Sequence, residues 1–146
     1  MGLIDALGAG PNAIDTAPFV YFSEDHEEYA PVVAPLFEAI DAGRLVAVTS
    51  AVTLLEVLVV PYRQGDASLA ARYEALLTRS RGLRLVDLDR RLLRAAAQLR
   101  ARIGVKTPDA LQLAAALSAR CTAFVTHDRA LPSIPSLPVV QLSQIA

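Results

Sequence analysis

Four short apolar runs, Ala13–Thr16, Leu45–Val48, Leu83–Val86 and Ala123–Thr126, recur along the chain with helix-length segments between them. Strands so separated cannot be joined by tight hairpins; they need crossover connections of about a dozen residues or more, which a helix supplies. The spacing therefore predicts an α/β fold: one three-layer domain with a mostly parallel central sheet flanked by helices. Between Pro31 and Ala42 the apolar residues Val32, Val33, Leu36, Phe37 and Ile40 keep the three-and-four spacing of a half-buried helix, stopped by Gly43. Leu45 to Val60 is too long for one strand, so it divides into a strand to Val48, a cap at Thr49 or Ser50, and a helix to about Val60 that Pro61 ends.

Further on, Asp66 to Ser80 reads as a charged helix with Leu69, Tyr73, Leu76 and Leu77 on its inner stripe. Asp89 caps a helix to Arg102 that Gly104 closes. Thr107 reads as an N-cap, with Pro108 at the first helical position and Asp109 in the first turn of an Ala/Leu helix. Pro132, Pro135 and Pro138 mark an irregular segment before Val139-Val140, an edge strand. Residues 1–12, with Gly2, Gly8, Gly10 and Pro11, read as a loose leader or extension, and the domain proper as residues 13–146.

At 146 residues the chain suits one domain. Its net charge of −1 gives no general attraction to nucleic acid, so any RNA must be gripped by a local basic patch. A single cysteine, Cys121, excludes an internal disulfide and fits a reducing compartment; with no histidine beside it in sequence, it reads as core. No basic segment opens the chain, and Glu56 or Asp109 breaks each long apolar run well short of a membrane span, so a cytoplasmic protein is expected.

Four acids stand in apolar settings. Asp15 ends the first strand, Glu56 is the one ionisable side chain between Leu45 and Tyr62, Asp109 opens the Ala/Leu helix, and Asp128 follows the fourth strand. Each has an ordinary alternative: a turn cap for Asp15, a narrow exposed strip or an Arg partner for Glu56, a favourable helix-dipole position for Asp109, a loop acid for Asp128. Together they are harder to dismiss. Parallel sheets gather ligands at the carboxyl ends of their strands, and like charges brought together there call for a compensating cation. Oxygen-only ligands favour Mg²⁺ or Mn²⁺, and two histidines far apart in sequence with one distant cysteine do not favour zinc. Such ions suit phosphodiester hydrolysis. Thr16, Ser50 and Thr126 are placed to orient water or ligand, or to cap turns; Lys106, Arg129 and Arg63 are placed to meet phosphate, or to face solvent.

The motifs Ile14-Asp15-Thr16-Ala17, Thr49-Ser50-Ala51-Val52-Thr53-Leu54-Leu55-Glu56-Val57, Thr107-Pro108-Asp109-Ala110-Leu111-Gln112-Leu113-Ala114 and Phe124-Val125-Thr126-His127-Asp128-Arg129-Ala130-Leu131 follow one another across nearly the whole chain. In that order they resemble the PIN-domain toxin ribonucleases, the VapC-like toxins of type II toxin-antitoxin pairs. The resemblance implies a Mg²⁺- or Mn²⁺-dependent endoribonuclease whose acidic site maps onto Asp15, Glu56, Asp109 and Asp128, with Thr126 as its hydroxyl. It also implies a homodimer inhibited by a cognate antitoxin. The residues ahead of Asp15 depart from it, since such toxins begin only a few residues before that acid.

Two other readings compete. A non-catalytic PIN-fold interaction module would use a surface such as Phe19, Tyr21 and Phe22. A hydrolase with Asp15 as covalent nucleophile fits poorly, because Asp15-Thr16-Ala17 lacks a second acid two residues on and no Lys follows the fourth strand.

Overall fold

The computed structural model describes residues 2–145. Its elements run α1 (Leu3–Ala6), β1 (Asn12–Ile14), α2 (Thr16–Ser23), α3 (Ala30–Asp41), β2 (Ala47–Ser50), α4 (Val52–Gln64), α5 (Ala67–Arg79), β3 (Leu83–Val86), α6 (Arg90–Ile103), α7 (Thr107–Ser118), β4 (Ala123–Thr126) and β5 (Val139–Gln141), with a 3₁₀ turn at Leu142–Gln144. The five strands form one sheet in the order β3-β2-β1-β4-β5. Every neighbouring pair is parallel; Ala13 is in register with Val48 on one side and Phe124 on the other.

Both faces of the sheet are buried, as parallel strands with apolar runs require. On one face Ala13, Val48 and Phe124 meet Leu92 and Ala96 of α6 and the Ala/Leu body of α7. On the other, Ile14, Ala47 and Val125 meet Phe19, Leu36, Phe37, Tyr73 and Leu77 from α2, α3 and α5. Three layers result, as the strand spacing predicts. Leu3 of α1 is buried in this second cluster, so the segment ahead of β1 contributes to the core.

Beyond the first strand, which ends at Ile14 rather than Thr16, local boundaries differ from the sequence expectation at β2, α4 and α7. The second strand begins at Ala47 rather than Leu45 and extends through Thr49 and Ser50, which are buried and paired with Leu85 and Val86. Pro61 does not stop α4: the helix continues to Gln64 and ends where Gly65 takes the left-handed conformation. At α7 the N-cap is Lys106, one residue earlier than expected, and Thr107 is already helical. Among the described residues no helix is long and apolar enough to cross a membrane.

The sheet order fixes where a ligand can sit. From β1 the chain winds outward through β2 to β3, then returns to the other side of β1 with β4 and β5. The direction reverses between β1 and β4, and a crevice opens there beyond the strands' carboxyl ends.

Candidate active site

Asp15 and Thr126 line that crevice. Asp15 leaves β1 in an extended conformation and N-caps α2, so it is the residue after the strand rather than its last member. One carboxylate oxygen accepts the Thr16 N–H at 2.8 Å; the other accepts the Thr126 hydroxyl, also at 2.8 Å. Thr126 is fully buried and turns the chain as well, since its Oγ1 accepts the Asp128 N–H at 3.0 Å. Asp128 itself is exposed; its Oδ1 accepts the Ala130 N–H at 2.9 Å, and its carbonyl accepts Gln141 Nε2 at 3.1 Å.

Glu56 is not buried. The face of α4 that carries it is open to solvent, with Leu55 and Tyr62 both 64% exposed, so its apolar setting in the sequence is an exposed strip rather than a buried one. What brings Glu56 to the crevice is a hydrogen bond: Thr16 Oγ1 donates to its Oε1 at 2.6 Å. Asp109, half-buried in the first turn of α7, faces the same space.

Electrostatics show the four acids sharing one region. Burial is the main reason the Asp109 carboxyl is pushed above its ordinary value, followed by the charges of Asp128, Asp15 and Glu56, with Lys106 opposing them. Asp15 is also raised, chiefly by burial and slightly by Asp128, against the lowering effect of its bonds from Thr126 and Thr16. The acids do not, however, close into a cage. Among the described residues no group of three or more His, Cys, Asp or Glu side chains is arranged to hold a metal ion. Three of the four instead accept hydrogen bonds from the protein: Glu56 from the Thr16 hydroxyl, Asp15 from the Thr126 hydroxyl and the Thr16 N–H, Asp128 from the Ala130 N–H.

The other expected residues divide. Lys106, exposed at the start of α7, lines a pocket with Asp109 and Asp128. Arg129 points toward a different depression, shared with Gln141 and Ser143. Arg63 lies in the last turn of α4, seven residues beyond Glu56, or roughly 10 Å along the helix. Ser50 is buried; its Oγ accepts the Val52 N–H at 3.2 Å, the capping alternative. Phe19 is core, while Tyr21 stacks on Tyr29 and hydrogen-bonds His127.

Beneath the acids lies a polar chain that the sequence reading did not identify. Gln112 Nε2 donates to Thr53 Oγ1 at 2.6 Å and its Oε1 accepts the Ser50 N–H at 3.2 Å. Thr53 bonds Thr49 at 2.7 Å, and Thr49 donates to the Ile14 carbonyl at 2.8 Å. All three side chains are buried, and Thr53 stands 3.4 Å from the Thr16 hydroxyl that holds Glu56. The network thus fastens β1, β2, α4 and α7 below the crevice. A signal existed: Gln112, a polar residue in an Ala/Leu helix, lies three residues after Asp109 and so on the same face.

Residues 13–137 match the family model described as the PIN domain. The chain belongs to the PIN domain family. No curated protein matches the sequence. Solved structures share the PIN fold at low identity. A toxin-antitoxin complex from Klebsiella pneumoniae is 21% identical, with a TM-score of 0.64 over 90% of this chain and 97% of that one. VapC20 from Mycobacterium tuberculosis, a Sarcin-Ricin loop cleaving toxin, is 16% identical, with a TM-score of 0.67 over 82% and 92%. VapBC2 from Rickettsia felis, bound to a DNA fragment from its promoter, is 18% identical, with a TM-score of 0.60 over 89% and 97%. These likenesses fit the parallel five-stranded sheet and its helical layers.

Proposed function

We propose that the chain is a divalent-metal-dependent endoribonuclease, the toxin of a toxin-antitoxin pair, hydrolysing RNA phosphodiester bonds at Asp15, Glu56, Asp109 and Asp128. The observation that carries this reading is the convergence of those acids at the sheet's switch point: the Thr126 hydroxyl joins Asp15 to the Asp128 N–H, Thr16 joins Asp15 to Glu56, and Asp109, raised first by burial and then by the charges of the other three, is opposed by Lys106. Four carboxylates of one sign need more positive charge than a single ammonium provides.

Their chemistry suits Mg²⁺ or Mn²⁺. Both are hard cations, and Mg²⁺ in particular is held by one or two carboxylates while keeping waters and substrate phosphates, so a closed protein cage is not required. Asp15 and Asp109 would hold the ion, with Glu56 and Asp128 completing its surroundings and ordering the attacking water. Such an ion, when bound, supplies a lowered pKa for that water and a counter-charge for the phosphate. The chain's own contribution is placement. Thr126 and the Thr16 N–H keep both Asp15 oxygens directed, and the Thr16 hydroxyl holds Glu56 over the crevice.

Membership of the PIN family and the toxin-antitoxin assemblies among the structural relatives support an antitoxin partner. An exposed apolar stripe on α4, Leu55, Val59 and Tyr62, lies beside Glu56 and supports a docking face for the antitoxin or for a second copy in a homodimer. The same stripe favours the second reading, a non-catalytic interaction module.

RNA cleavage separates the two. Purified chain with Mn²⁺ should cut single-stranded RNA, and Asp15→Asn or Asp109→Asn should abolish cutting while the protein remains folded. Intact RNA across a broad substrate screen would favour the interaction module.

A further inference from the structure

The buried polar chain under the crevice has a fixed direction. Gln112 can set its amide only one way: the Ser50 N–H at 3.2 Å needs the carbonyl oxygen Oε1, which leaves Nε2 to donate to Thr53 Oγ1 at 2.6 Å. At the other end Thr49 has a single hydroxyl proton. The Ile14 carbonyl, 2.8 Å away, and Gln112 Oε1, at 3.5 Å, can only accept it. The 2.7 Å bond between the two hydroxyls therefore runs from Thr53 to Thr49. Thr53 accepts one hydrogen bond, gives away its one proton, and has a lone pair left over.

Thr16 Oγ1 stands 3.4 Å from that oxygen. Its own single proton is directed at Glu56 Oε1, 2.6 Å away. No proton is then available between Thr16 and Thr53, and 3.4 Å is long for a bond between hydroxyls. One hydroxyl thus faces two acceptors, the exposed Glu56 carboxylate and the buried Thr53 oxygen, and serves one at a time.

We infer that the Thr16 hydroxyl is a two-position latch on Glu56, and that Thr53 and Gln112 are positioning residues that create its second position. With the proton on Glu56, the carboxylate is held as the structure has it. With the proton turned to Thr53, Glu56 is free to swing and the Thr16 hydroxyl still has a protein partner. Gln112 makes this exchange workable by keeping the Thr53 proton directed at Thr49, away from Thr16. The use of the release rests on the nuclease reading above: a carboxylate that orders water in the crevice has to be able to leave Thr16. Without an acceptor at Thr53, leaving would take the only protein partner from the Thr16 hydroxyl, which opposes the motion.

A double-mutant cycle in denaturant unfolding of the metal-free chain reads the latch without any activity. Thr16→Val and Thr53→Val should be uncoupled in the parent, where the Thr16 proton is on Glu56. In a Glu56→Ala background the proton turns to Thr53, and the same cycle should show favourable coupling of about threefold or more in the folding equilibrium constant. Coupling that is the same in both backgrounds, present or absent, would overturn the latch. Glu56→Ala alters an exposed side chain and carries the test alone if Thr53→Val does not fold. Exchange of the Thr16 hydroxyl proton with water, followed by NMR, should slow severalfold in Glu56→Ala; unchanged or faster exchange would overturn the latch. On RNA, Thr53→Val should lower kcat about fivefold with KM nearly unchanged, Thr53→Ser should restore it, and Thr53→Val should add nothing to Thr16→Val. An equal further loss in Thr16→Val would overturn the positioning role. Cleavage without background-dependent coupling leaves the nuclease reading and removes the latch; coupling that switches in a protein that cuts no RNA leaves the latch and removes the nuclease reading.

Discussion

At the scale of single residues, two acids of the proposed site, Asp15 and Asp109, oppose folding when ionised. Asp15 and Asp109 both have carboxyls raised above the ordinary 3.8, so the folded chain binds their protons more tightly than the unfolded one. Without metal, their contribution to stability is therefore greatest at low pH and declines as pH rises from about 3.8 through the raised folded values. Asp109→Asn should flatten this decline and leave the metal-free midpoint at pH 7 equal to or above that of the parent, measured by thermal melts across pH. Thr16→Val should keep the fold but release Glu56, lowering kcat for RNA by at least about tenfold with a smaller effect on KM. Gln112→Leu strands the Ser50 N–H and should cost about 1–3 kcal/mol in denaturant unfolding.

The identities of these acids were legible in the sequence, because a carboxylate at a strand end or in an apolar run stands out. How each is held was not. Glu56 stands in an apolar run, yet it is exposed; the run Leu54-Leu55 and Val57-Leu58-Val59-Val60 hides a solvent face because half of those apolar residues lie on the surface. Gln112 was overlooked because hydrogen bonds to Thr53 and Ser50 reach 59 and 62 residues away in sequence.

At the scale of elements, turn and cap chemistry predicted most boundaries. Asp66 and Asp89 accept the Leu69 and Leu92 N–H groups, as N-caps do, and Gly104 closes α6 in the left-handed conformation. Failure came where two rules competed. Pro61 was given a stopping role, but α4 already had nine residues before it, and losing one hydrogen bond costs less than abandoning a helix that buries Val57 and Pro61. Thr49 and Ser50 favour a helix cap by type; pairing with β3 keeps both in β2, while the Ser50 hydroxyl still accepts the Val52 N–H at the start of α4. The start of β3 has a stricter requirement. A Cβ on Gly82 would stand 2.4 Å from the Leu45 carbonyl oxygen and 2.7 Å from that of Ile40. Gly82→Ala should therefore destabilise the protein by about 1–3 kcal/mol in denaturant unfolding, by forcing the end of α3 and the connection to β2 away from the start of β3.

At the scale of the whole molecule, the sheet order decides at which end of the domain the acids gather. Reversal of winding at β1 brings Asp15 and Asp128, separated by most of the chain, to adjoining strand ends, while α4 and α7 bring Glu56 and Asp109 over them. The α/β class was readable from strand spacing, but the strand order was not, because spacing fixes the kind of connection and leaves the side of the sheet open. Apolar exposure on α4 belongs to this scale too. If the Leu55, Val59 and Tyr62 stripe is a docking face, Val59→Arg should lower the association of the chain with itself or with its antitoxin in sedimentation, while RNA cutting by the free protein is retained.

The central claim is that the carboxylates at the switch point form one site whose repulsion a divalent ion relieves. Thermal unfolding of the full chain, titrated with Mn²⁺ at pH 7, tests it most directly. The midpoint should rise with ion concentration in the parent protein, and the rise should disappear in Asp15→Asn and Asp109→Asn. A midpoint indifferent to Mn²⁺, or one that rises equally in all three proteins, would contradict the account.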